Sequence, residues 1–80
     1  APNPATNKTL IKFEVLEPGN TKLFIIDLLG NKVADIIDRE LAKGSYEIEI
    51  NTSKFSSGMY KYILQTQTQF LTKSMQIIKD

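Results

Sequence analysis

The chain has no cysteine, no histidine and no tryptophan. Without thiols there is no disulfide framework to staple a small core, although that absence does not fix the compartment. Without thiols or imidazoles, zinc, iron–sulfur and haem sites lose their usual ligands, and no cofactor is expected. The serines at 53, 56 and 57 have no histidine partner, so the usual activated nucleophile is missing. No apolar run approaches 18 residues, and no charged leader precedes a short apolar stretch, so neither a membrane-spanning helix nor a signal peptide is expected within these residues. Charge of one sign is also lacking. Ten Lys and Arg stand against nine Asp and Glu, too balanced for nucleic acid or an acidic membrane to be the main partner. Glycine and proline are scarce, four and three in 80 residues, so each marks a place where the chain bends.

What remains is the composition of one small folded domain. Such a short chain buries only about 60% of its unfolded surface, so the core must be thin. The opening Ala1-Pro2-Asn3-Pro4-Ala5-Thr6-Asn7 has two prolines and no initiator Met. It reads as a linker, residues 1–8, leading into a domain over 9–80, in a fragment of a longer protein.

Short apolar runs follow, separated by turn residues. Thr9 to Leu16 alternates, with Ile11, Phe13 and Val15 on one face and Lys12 and Glu14 on the other. Glu17-Pro18-Gly19-Asn20 predicts a type II turn. Thr21 to Leu28 is apolar on both faces, as in a central strand. Leu29-Gly30-Asn31 turns the chain. Lys32 to Lys43 is ambiguous: Val33, Ile36, Ile37 and Leu41 fall at helical spacing, yet every neighbour is β. Ser45 to Asn51 alternates again, with Tyr46, Ile48 and Ile50 inward. A polar loop with Phe55 as plug leads to Gly58, and Met59 to Thr66 places Tyr60, Tyr62 and Leu64 on one face. Gln67-Thr68-Gln69 closes a hairpin onto Phe70 to Lys79, with Leu71, Met75 and Ile77 on one face. Six or seven strands at this spacing predict an all-β, immunoglobulin-like antiparallel sandwich.

Few residues suggest chemistry. Glu47 and Glu49 lie on one strand face roughly 6–7 Å apart, but outward, as a solvated face rather than a glycosidase pair across a cleft. Asp27, Asp35 and Asp38 lack the dense spacing of a calcium loop. Tyr60, Tyr62 and Phe70 form either a stacking platform or, as expected here, part of the core. Asn7-Lys8-Thr9 and Asn51-Thr52-Ser53 are sequon-like and matter only in a glycosylating host.

Taken in order, several pieces resemble a known family. They are Asn3-Pro4, Ile11-x-Phe13, Leu23-x-Ile25-Ile26-Asp27-x-x-Gly30-x-x-Val33, Gly44, Gly58-Met59-Tyr60 and Lys73-x-Met75-x-Ile77-x-Lys79. The ordered set resembles the C-terminal sorting domain of type IX secretion, the type A tail of secreted and cell-surface proteins in certain Gram-negative bacteria. Two positions depart from that pattern: Ile26 precedes Asp27 where the family has Tyr, and Ile50 stands where it often has Trp.

The resemblance implies a strand over Lys32 to Ile37 and a loop over Asp38 to Gly44. It implies motif or recognition roles for Asn3, Pro4, Asp27, Gly30, Gly44, Gly58, Tyr60, Lys73, Met75, Ile77 and Lys79. It also implies a sorting signal and not an enzyme. An upstream cargo domain would cross the periplasm, be recognised by the outer-membrane translocon or its shuttle proteins, and reach the surface or medium. A sortase-like peptidase would usually remove the tail. The competing readings are a carbohydrate-binding module, disfavoured by only three Tyr and four Phe, and an immunoglobulin-like spacer related to flagellar hook-capping proteins. The spacer reading is disfavoured because Asn51-Thr52-Ser53-Lys54-Phe55 replaces a Gly-rich loop. An enzyme is the weakest reading.

Overall fold

Period-two alternation with charges outward cannot bury a helix stripe, but it suits a strand with one wet face. The computed structural model, which describes residues 8–78, follows that rule through six strands. These are β1 (Lys8–Val15), β2 (Gly19–Ile26), β3 (Lys32–Leu41), β4 (Gly44–Asn51), β5 (Gly58–Gln65) and β6 (Phe70–Ile77). No helix occurs among the described residues, and so none long and apolar enough to cross a membrane.

The strands form two antiparallel sheets. One holds β1 and β4; the other runs in the order β3-β2-β5-β6. In the small sheet Phe13 faces Tyr46 and Ile11 faces Ile48 on the inner side, while Lys12 faces Glu47 on the outer side. Both hairpins, β2–β3 and β5–β6, lie within the larger sheet. The core forms where the sheets meet: Ile11, Val15 and Ile50 from one, Leu23, Ile25, Ile37, Leu41 and Leu64 from the other. Each such side chain contributes about 1.5–3 kcal/mol by leaving water. The result is an all-β sandwich. β2 has a neighbour on both sides, so the apolar side chains on its outer face are partly covered by those of the flanking strands. Leu23 and Ile25 are fully buried inward, and Phe24 on the other side pairs with the buried Ile63.

Three expectations need correction. The loop expected over Asp38 to Gly44 is strand as far as Leu41, where Asn20, Thr21 and Lys22 pair with Glu40, Arg39 and Asp38. The polar run hides the strand because these residues sit at a sheet edge, where backbone bonding to β2 does not require apolar side chains. The register shifts twice along β2–β3, between Leu23 and Phe24 and between Ile25 and Ile26. These bulges break the simple alternation. The type II turn does not form at Gly19 either: with φ of 155° it opens β2 opposite Leu41, far from the ~80° such a turn needs. Finally, Phe70, expected in the core with Tyr60 and Tyr62, is 66% exposed, because it pairs with Gln65 on the outer face of the last hairpin.

Candidate functional site

The two glycine- and lysine-anchored motifs meet across the last hairpin. Gly58 pairs with Ile77, Tyr60 with Met75 and Tyr62 with Lys73. Residues 11 to 19 positions apart in the chain are thus facing neighbours on one ladder. Gly58 starts β5 at φ of 154°, with nothing within 4 Å of where a Cβ would stand. Its requirement for glycine is therefore torsional, not steric. Tyr60 is half-buried; its ring tilts against Phe55 at 5.5 Å and its hydroxyl donates to the Ser56 carbonyl at 2.8 Å. That bond ties the loop before β5 to the strand itself.

The same device recurs on β4. Tyr46 follows Gly44 by two residues, as Tyr60 follows Gly58, and its hydroxyl donates to the Ala42 carbonyl at 2.6 Å. Its ring stacks on Phe13, 5.3 Å between centroids at 11°. Reading the sequence for family motifs missed Tyr46, although the repeated Gly-x-Tyr spacing was a usable signal.

Asp27 and Gly30 build the β2–β3 turn. The Asp27 carboxylate accepts the backbone N–H groups of Leu29 and Asn31, both at 2.9 Å, and the Asn31 side-chain amide at 3.4 Å. The N–H of Asn31, followed by those of Leu29, the Asn31 side chain and Gly30, outweighs partial desolvation. Together they hold this carboxyl below its ordinary 3.8. Gly30 lies at φ of 90°, where a side chain would meet its own backbone. Ile26 pairs with Lys61 on β5. The Asp27 turn, Gly58 and Ile77 therefore share one end of the large sheet, while Gly44, paired with Val15, begins β4 in the small sheet.

β6 is the edge strand. It pairs with β5 along all eight residues without a register shift, and with no other strand among the described residues. Phe70 is 66% exposed, and Lys73 is exposed beside a groove of about 660 Å³ that opens between the sheets. Phe13, Tyr46, Tyr62, Leu64 and Leu71 line that groove. Gln69 sits in the β5–β6 turn. The Gln69 side-chain amide donates to the Glu14 carbonyl at 2.9 Å and accepts the Leu16 N–H at 3.0 Å. Those are the two groups that a neighbouring strand would use, so one side chain stands in for a strand at the end of β1. Nothing in the local sequence marks Gln69 for this role.

Other candidates are not brought together. Tyr60 and Tyr62 face inward, but Phe70 pairs with Gln65 on the opposite face, so the three rings make no platform. Glu47 and Glu49 point outward and meet Lys12 and Lys8 at 3.6 and 3.8 Å, exposed pairs worth little. Asp35 pairs with Lys32 at 3.0 Å and Asp38 accepts the Asn20 amide at 3.4 Å, each apart from Asp27. No metal-binding group of acidic residues occurs among the described residues. Asn3, Pro4 and Lys79 lie outside the described residues.

Compared with known proteins, residues 1–79 match the family described as secretion system C-terminal sorting domain. No curated protein and no solved structure matches the chain. The match spans nearly the whole sandwich and takes in both the Asp27 turn and the β5–β6 ladder. The chain belongs to the secretion system C-terminal sorting domain family and is a sorting signal for type IX secretion, carried by a cargo protein bound for the surface or the medium.

Proposed function

We propose that the chain acts as a folded substrate of the secretion machinery, without chemistry of its own, and that the machinery reads it along β6. The parent protein crosses the inner membrane on an upstream signal peptide and folds in the periplasm. The outer-membrane translocon or its shuttle proteins then engage the tail. After passage a sortase-like cysteine peptidase removes it. The observation that carries this reading is the edge of β6, eight residues long with a single charge at Lys73, which no other strand covers among the described residues. An open edge offers N–H and C=O groups that a receptor strand can pair with, while alternate side chains supply specificity. Lys73, which lines the groove, presents a cation to an acidic receptor group.

The test fuses residues 1–80 behind a fluorescent protein that carries a signal peptide. Surface delivery is expected in a host with a working type IX translocon and not in its translocon-deficient counterpart. Removing Phe70 to Asp80 should abolish delivery. Delivery that survives the deletion would place the recognition surface elsewhere.

A further inference from the structure

Four strands have an edge that no other strand covers among the described residues: β1, β3, β4 and β6. The first three are less suited to pairing with a second chain. β1 is already capped at Glu14 and Leu16 by the Gln69 amide. β3 is bulged and carries five charges, Lys32, Asp35, Asp38, Arg39 and Glu40, both features that discourage pairing. On β4, a two-fold centred on Glu47 sets that glutamate against itself. One centred on Ile48 sets it against Glu49. β6 has no bulge, no proline and no glycine.

We infer that β6 pairs antiparallel with β6 of a second copy of this chain, about a two-fold axis at Ser74. Only two registers pair seven of the eight strand residues. Centring on Lys73 brings two ammonium groups together, a repulsive cross-strand pair. Centring on Ser74 places Lys73 against Met75, Thr72 against Gln76, Leu71 against Ile77 and Phe70 against Ile78 of the other copy. The exposed apolar residues Phe70 and Leu71 on β6 and Ile78 just after it, at 66%, 48% and 58%, then gain apolar partners, and no like charges meet. The strand's own sequence thus selects one register. The larger sheet continues across the axis as eight strands. This pairing stands independently of how the translocon reads the tail, but it occupies the same edge, so the dimer and the receptor complex exclude each other.

The absence of cysteine makes the register directly measurable. In the 80-residue chain, S74C puts two thiols on opposing residues, whose Cα atoms lie about 4.5–5.5 Å apart in an antiparallel pair, within disulfide reach. T72C places its thiols four residues out of register, roughly 13 Å apart along the strand. Under mild oxidation, S74C is expected to form a covalent dimer at least ten times faster than T72C. Sedimentation of the unmodified chain should show its 9.0 kDa mass doubling with concentration. Ser74→Glu separates pairing from folding: it faces Lys61 within the chain, which favours the monomer, and faces itself across the axis. It should weaken association about five-fold while leaving the fold intact. Equal crosslinking of T72C and S74C, an unmodified chain that stays monomeric to millimolar concentration, or S74E associating as well as the parent overturns the pairing.

Discussion

Gln69→Ala tests whether one side chain holds the last hairpin onto the small sheet. The substitution removes two hydrogen bonds, of 2.9 and 3.0 Å, to backbone groups 55 and 53 residues away. It leaves the hairpin's own closure intact, since the Thr66 N–H donates to the Gln69 backbone carbonyl at 2.9 Å. A typical intramolecular bond contributes about 0.5–1.5 kcal/mol net. Both of these are exposed, and water replaces them in part. The loss should therefore be about 1 kcal/mol, which for a domain of this size lowers Tm by about 4–8 °C. Local hydrogen exchange is the sharper assay. The Leu16 amide has its acceptor on Gln69, so it should lose protection in Q69A, while the amides of the Leu23–Leu64 region keep theirs relative to global stability. If Leu16 exchanges equally in both proteins, the amide does not hold β1 and the hairpin together.

Leu23 is fully buried at the centre of the core. Leu23→Ala should cost about 2–5 kcal/mol against a total of about 4–12 kcal/mol for 80 residues, read as a large drop in urea midpoint. Gly30→Ala should cost about 1–2 kcal/mol, and Gly30→Asn less, because the strain is torsional at φ of 90° and no atom lies near the new Cβ; thermal melts of the pair check it. The lowered pKa of Asp27 means that, just below pH 3.8, the unfolded chain binds more protons than the folded one. Its stabilisation is thus in place well above pH 3.8 and fades as the pH falls through the lowered value. The stability gap between the parent and Asp27→Asn should shrink over that window; a pH-independent gap would refute the assignment.

The inferences from sequence worked where one residue's neighbours are its own chain neighbours. Alternation places β1 and β4 because each inward Ile or Val is flanked by an outward Lys or Glu. The turn at Gly30 is legible because it needs a backbone shape that glycine supplies. Ordered family motifs point to the sorting role without any fold at all. The same reasoning failed at Asp38 to Leu41, where pairing with Asn20 to Lys22 outweighs a polar sequence. It also had no means of finding Gln69, whose partners are more than 50 residues away.

The sequence by itself determined that this protein is built of strands, where most of them run and what kind of signal they form. Side-chain period and turn residues are local properties, and they survive without a partner. Only the tertiary structure decided which strands end up at an edge. That depends on sheet order, and sheet order follows from which apolar faces can bury each other at once. Among the described residues it left β6 open, placed Gly58 and Tyr60 against Ile77 and Met75, and set the Gln69 amide where a further strand would otherwise pair with the end of β1.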